Sequence, residues 1–180
     1  MFKQFIPFAH ANSLYDIPVE FFKELKVKYL LMDLDNTLDS YRLLKPTQKA
    51  VDLIKTLRDN DIVPIIISNN KGKRVKSYAE ALGVKYISGA KKPFAKNILK
   101  FINLNNIDKN DTIFVGDQLI TDVWCGYHAG LRVIWTDKLV KEDQWTTHIN
   151  RIFERVIKRY HLKRDNIPDW SKYYGQSKKS

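Results

Sequence analysis

Short apolar runs alternate along this chain with stretches whose apolar residues recur at three- and four-residue intervals. The run at 27–32 (VKYLLM) is followed by Asp33 and reads as a buried strand. Residues 46–60 then carry Ala50, Leu53, Ile54 and Leu57 on one helical face, and Pro46 suits a first turn. The run 62–67 (IVPIII) predicts a second strand, with Pro64 near its beginning or at a missing ladder bond. A helix over 73–82 stops at Gly83, a residue free to take the left-handed conformation that ends helices. The series continues with a strand at 84–87, a helix over 94–103, a strand at 112–115, a helix over 119–129 stopping at Gly130, and a strand at 131–135.

Alternating strands and helices imply parallel pairing through right-handed crossovers, hence an α/β fold with a parallel sheet flanked by helices. Ligand sites in such sheets form outside the carboxyl ends of the strands. Asp33, Ser68 and Asp117 each close an apolar run, as that rule requires. Three regions result: an N-terminal extension at 1–26 that packs on the core or on a membrane surface, an α/β core at 27–140, and a C-terminal region at 141–180. In the last, Ile149, Ile152, Phe153, Val156, Ile157 and Tyr160 recur at helical spacing, with Arg151, Arg155, Lys158 and Arg159 elsewhere around the helix. From residue 163 a polar tail carries Trp170, Tyr173 and Tyr174 among lysines and is expected to dock loosely.

Lysine and arginine outnumber aspartate and glutamate by 31 to 20, a net charge of +11 that favours an anionic partner: a phosphorylated substrate, anionic lipid or RNA. The single cysteine, Cys125, excludes an intramolecular disulfide, suits a reducing compartment and reads as a small apolar filler. Gln4, Pro7, His10 and Asn12 interrupt the apolar start, so no signal peptide is expected. No stretch reaches the roughly 20 apolar residues of a bilayer span. These features point to a cytoplasmic protein. Phe2, Phe5, Ile6 and Phe8 beside Lys3 either pack on the core or insert shallowly at the inner face of a membrane. His10, His128, His148 and His161 lack metal-ligand spacing, so no zinc site is expected.

The candidate chemistry gathers where the strands end. Asp33-Leu34-Asp35-Asn36-Thr37-Leu38 follows the first strand, and alternate side chains of an extended segment share a face, so Asp33 and Asp35 can address one reacting centre. Two carboxylates this close repel, and they require a cation or different protonation states. A division of labour uses both: one ionised carboxylate attacks phosphorus, while the other protonates the leaving oxygen and later activates water. Alone, the segment also reads as a turn with an Asx cap. Ser68, beside Asn69, is either a hydroxyl for phosphate oxygens or a helix cap. Lys92, in Ala90-Lys91-Lys92-Pro93, is either an ammonium set against phosphoryl charge or a solvated surface lysine. Gly116-Asp117-Gln118-Leu119-Ile120-Thr121-Asp122 offers the hard oxygens that Mg²⁺ takes, or else a turn before a capped helix.

These four segments, in this order and each at a strand end, resemble the four motifs of the haloacid dehalogenase superfamily, over residues 27–135. The resemblance implies a Rossmann-like core, Asp33 as nucleophile, Asp35 as general acid/base, and Thr37 as the residue that fixes the turn. It implies Ser68, Asn69 and Lys92 as phosphate-binding residues. It also implies Mg²⁺ held by Asp33, Asp117 and the backbone carbonyl of Asp35, with Asp122 as an indirect partner. Asp at position 35 favours phosphoryl transfer over dehalogenation, so the implied enzyme is a phosphomonoesterase with an aspartyl-phosphate intermediate. Only residues 39–45 separate Leu38 from the next helix, and 69–92 hold one helix and one strand, so no cap domain is expected.

More narrowly, Ser13-Leu14-Tyr15-Asp16-Ile17, Ile67-Ser68-Asn69-Asn70, Lys92-Pro93 and Gly116-Asp117-Gln118 resemble the YqeG-type branch of subfamily IIIA. Fungal and plant relatives of that branch are phosphatidylglycerophosphate phosphatases, which makes an anionic lipid headgroup one candidate substrate and a small soluble phosphomonoester the other. Against these stands an RNA- or ribosome-associated factor with little catalytic role, binding through the basic C-terminal helix and the Lys/aromatic tail.

Overall fold

In the computed structural model, which describes residues 3–140, 156, 157, 159 and 167–175, six parallel strands form one sheet. They are β1 (Ala9–Ala11), β2 (Tyr29–Asp33), β3 (Val63–Ile67), β4 (Lys85–Ile87), β5 (Thr112–Gly116) and β6 (Arg132–Thr136), in the spatial order β1-β6-β5-β2-β3-β4. Helices α1 (Val19–Glu24), α2 (Gln48–Asp59), α3 (Lys73–Leu82), α4 (Lys96–Leu104) and α5 (Trp124–Ala129) cover both faces. No cap domain interrupts the described residues. Most of the C-terminal helix expected over 149–160, together with Phe2 and the last lysines, lies outside them.

Strand alternation divides the core. Leu30 and Met32 pack with Phe21, Leu57 and Tyr78, under α1, α2 and α3. Leu31 packs with Ile98, Phe114 and Cys125, under α4 and α5. By the same period of two, Asp33 falls on the face of Leu31. At Gly126 an added Cβ would lie 2.0 Å from Val133 Cγ2, so only glycine lets α5 approach β6 this closely. From β2 the chain steps outward through β3 and β4, then returns to the other side of β2 as β5. The carboxyl ends of β2 and β5 therefore flank the point where the order reverses, where crevices open in such sheets.

Several local outcomes differ from the pattern reading. Pro46 precedes the helix instead of starting it: Thr47 caps α2 by accepting the Ala50 N–H. Pro64 sits second in β3. Val63 N–H donates to Lys28 of the β2 side, so the missing donor of Pro64 faces β4, whose pairing begins only at Ile65↔Lys85. The helix expected over 119–129 opens with a wide π-helical turn, Leu119–Val123, before α5. That turn lets the Asp122 carboxylate fold back onto the Gln118 N–H at 3.0 Å.

The larger difference concerns the two ends of the chain. Residues 9–11 add strand β1 beside β6, with Ala9 opposite Ile134. Three residues carry too little periodicity to announce a strand. Phe5 is buried and Phe8 is half-buried, stacked on Tyr173 at 4.6 Å between ring centroids, so these two aromatics pack on the core. The tail around 167–175 is docked more firmly than a polar extension would be. Trp170 packs edge-on to Phe21, and His10 N–H donates to the Pro168 carbonyl at 2.8 Å. The tail thereby covers an otherwise open sheet edge.

Candidate active site

Asp33 ends β2, Asp117 follows the last residue of β5, and Asp122 follows within the π-helical turn. All three are buried, and one carboxylate oxygen of each lies within 4.8 Å of the other two. The Lys92 ammonium, also buried, contacts Asp33 Oδ1 and lies 2.6 Å from Asp122 Oδ1. Gly116 makes this convergence possible: a Cβ there would lie 2.4 Å from Asp122 Cβ and Cγ. Lys92 is itself positioned by Asn69, whose Oδ1 accepts the Lys92 N–H at 2.7 Å and whose Nδ2 donates to the Lys92 carbonyl at 3.0 Å.

Burial pushes the Asp33 carboxyl well above the usual carboxylate range; Lys92 opposes the rise, and Asp122, Asp117 and Asp35 add to it. Burial also works against the Lys92 ammonium, but Asp122 and Asp33 outweigh it and hold that group above its ordinary value. Three buried carboxylates around one ammonium therefore disfavour charge at Asp33 unless a further cation enters. The donor set fits a hard divalent ion such as Mg²⁺.

The raised Asp33 couples stability to pH. The folded metal-free protein binds that proton more tightly than the unfolded chain, so this contribution to stability is complete below the ordinary carboxylate range. It fades as pH rises through the folded value. A cation competing with the proton should stabilise more as pH rises. Mg²⁺ is thus expected to raise the melting temperature more at about pH 8 than at about pH 5.5, and EDTA should abolish both gains. Equal gains at the two pH values would contradict a site in which metal replaces the Asp33 proton.

Asp35 faces a second set of donors. Its Oδ2 accepts from Asn70 Nδ2 at 2.8 Å and from Ser68 Oγ at 3.3 Å, while Arg74 Nη1 lies 2.7 Å from its Oδ1. Ser68 is buried at the end of β3, and its backbone exchanges hydrogen bonds with Ile87 and Ala90. Asn36, between the two key aspartates and Thr37, has φ 67, a left-handed conformation that asparagine tolerates better than most residues. Thr37 Oγ1 lies 3.5 Å from Asp117 Oδ1, a long contact, and Trp135 Nε1 donates to the Asp117 carbonyl at 3.0 Å. Cys125 is buried, and burial pushes its thiol up to about 12, which suits a core filler.

The sequence-predicted residues Asp33, Lys92, Asp117 and Asp122 thus meet at one end of the sheet, with Asp35, Ser68 and Thr37 beside them. Asn69 acts on the Lys92 backbone. Sequence reasoning gave no site role to Asn70, Arg74 or Trp135. Arg74 carried a faint signal, because Lys73 and Arg74 open a helix whose positive end disfavours cations.

A family model described as haloacid dehalogenase-like hydrolase matches residues 2–136. The chain is 33% identical over 155 residues to the Bacillus subtilis (strain 168) protein described as "Probable phosphatase YqeG", covering 86% of this chain and 90% of that one. Among solved structures it resembles a Vibrio cholerae protein described as a 3-deoxy-D-manno-octulosonate 8-phosphate phosphatase (TM-score 0.52, 17% identity, 82% of this chain and 94% of that one). It also resembles a Legionella pneumophila protein described as a subfamily III A hydrolase (TM-score 0.51, 20% identity, 68% and 72% covered). These two structures share the fold.

Proposed function

Because the chain belongs to the haloacid dehalogenase-like hydrolases and is a phosphatase of that family, we propose that it hydrolyses its phosphomonoester through a phosphorylated Asp33. The observation that carries this is the convergence of Asp33, Lys92, Asp117 and Asp122 where the strand order reverses, with a separately held carboxylate, Asp35, next to it. An Asp33 carboxylate oxygen attacks phosphorus and the ester P–O bond breaks. The leaving oxygen takes a proton from Asp35. Asp35 then takes a proton from water, whose oxygen attacks phosphorus, breaks the bond to Asp33 and releases inorganic phosphate.

Lys92 offsets charge on the phosphoryl oxygens, and Ser68 Oγ with the main-chain N–H groups after β3 receives them. Phosphatases of this family use Mg²⁺, which supplies further charge neutralisation when bound. Asp33, Asp117 and the Asp35 carbonyl would hold it. Asp122, engaged by Lys92 through Oδ1 and by Gln118 N–H through Oδ2, would act indirectly.

For the substrate we favour an anionic lipid headgroup such as that of phosphatidylglycerophosphate. What supports it is the open, capless site and two loops leaving the same end of the sheet, which expose Leu44 at 71% and Phe94 at 70% beside Lys45 and Lys91. Among the described residues no helix is long and apolar enough to cross a membrane, so contact of this kind is peripheral. The test is Mg²⁺-dependent phosphate release from phosphatidylglycerophosphate micelles and from a panel of soluble phosphomonoesters, with pelleting on anionic vesicles alongside. Release across neither set would sink the phosphatase reading. Release confined to soluble esters, without pelleting at low salt, would sink the lipid reading alone.

A further inference from the structure

Arg74, in the first turn of α3, is anchored in an unusual way. Its Nε donates to the Leu43 carbonyl at 2.9 Å and its Nη2 to the Ser40 carbonyl at 3.4 Å, both in the loop that follows β2. Two main-chain carbonyls therefore fix the guanidinium plane before any partner arrives. Its Nη1 lies 2.7 Å from Asp35 Oδ1, yet neither atom makes an aligned hydrogen bond, although both are shielded from solvent. The two charges attract at this distance. A buried ion pair whose hydrogen bonds are not aligned leaves room for a further partner such as a water, an ion or a ligand. The Arg74 side chain as a whole stays 20% exposed and that of Asp35 16%, so the pair lines an open approach.

The fork geometry of a guanidinium suits carboxylate and phosphate oxygens. Lys71, Lys73 and Lys45, exposed on the adjoining segments, add positive potential. A simple structural ion pair would align its donors on Asp35 and would need no tether to the Ser40 and Leu43 carbonyls.

We propose that Arg74 is a specificity residue of this site and receives a second anionic group of the substrate, so that the enzyme selects phosphomonoesters bearing a carboxylate or phosphate a few bonds from the scissile phosphate. This rests on the phosphatase reading, which assigns Asp35 to the leaving-group side. A bound second anion satisfies Nη1 and fixes the leaving group beside Asp35. A substrate without it forgoes a charge-assisted contact that the site is built to make, and loses affinity accordingly.

The test compares carboxypropylphosphonate with hydroxybutylphosphonate, unhydrolysable ligands that differ only in a carboxylate for a hydroxymethyl group. Dissociation constants are measured by calorimetry in Mg²⁺ for wild type, Arg74→Met and Arg74→Lys. The ratio within each protein cancels any loss of folded material. Wild type is expected to prefer the carboxylate at least about tenfold. Arg74→Met should bring the ratio to about one, and Arg74→Lys should retain part of it. A wild-type ratio near one, a ratio that persists in Arg74→Met, or no binding of either ligand would overturn the assignment. Hydrolysis of the corresponding alkyl phosphates is followed in parallel. If wild type releases no phosphate from either, the phosphatase reading fails, while the phosphonate ratios still decide the role of Arg74.

Discussion

Replacing Asp33 by asparagine is expected to lower phosphate release by at least about 10³-fold, a loss of about 4 kcal/mol of transition-state stabilisation, while leaving the protein folded. The amide keeps the size and planarity of the carboxylate but is no nucleophile towards phosphorus. Stability should behave differently from activity. Burial and the neighbouring carboxylates disfavour charge at Asp33, so a neutral amide removes an unfavourable group from the metal-free protein. The melting temperature of Asp33→Asn without metal should equal or exceed that of wild type, and its gain on adding Mg²⁺ should shrink. Steady-state phosphate release and melting curves with and without Mg²⁺ check both halves. A variant that keeps more than about a tenth of wild-type activity would remove Asp33 from the nucleophile's role.

The second large effect is expected at Lys92. Its ammonium stands between two buried carboxylates, with side chains only 3% exposed for Lys92, 6% for Asp33 and 0% for Asp122. Lys92→Met preserves most of the volume and leaves those carboxylates without their cation. Removing one partner of a buried ion pair costs about 3–5 kcal/mol, which for a chain of this size lowers the melting temperature by on the order of 10 °C. The loss should be relieved in part when Asp122→Asn is added, because that change deletes one of the stranded charges. Denaturant unfolding of the two single variants and the double variant, all in EDTA, measures this coupling. Strict additivity would mean that Lys92 and Asp122 do not interact as the geometry indicates.

Much of this architecture was legible because its signals are local. Uninterrupted apolar runs such as IVPIII mark strands buried on both faces, and Gly83 and Gly130 stop helices where their left-handed conformations are observed. The aspartates at 33, 35 and 117 could be found because strand ends in a parallel sheet collect the chemistry. What remained hidden depends on long-range placement. Strand β1 has three residues and exists only because β6 offers it a ladder. Trp170 and Tyr173 look like tail residues until Phe21 and Phe8 are seen beneath them. The donors of Asp35 come from a different strand end and a different helix, and spacing along the chain says nothing of Asn70 and Arg74 turning toward it. The π-helical turn at Leu119–Val123 shares its apolar pattern with an ordinary helix, and only the demand of Asp122 for the Gln118 N–H separates them.

The pairing of β1 with β6 also has a kinetic side. Ala9–Ala11 is the earliest strand of the sheet in sequence, yet among the described residues its strand partner is the last, Arg132–Thr136. Until then the hydrophobic N-terminal segment waits without its neighbour while β2, β3, β4 and β5 can already assemble. Such a separation along the chain makes the final closure slow relative to local helix formation. Until that closure the apolar side chains around Phe5 and Phe8 stay open to other chains, a state in which chaperones and self-association compete.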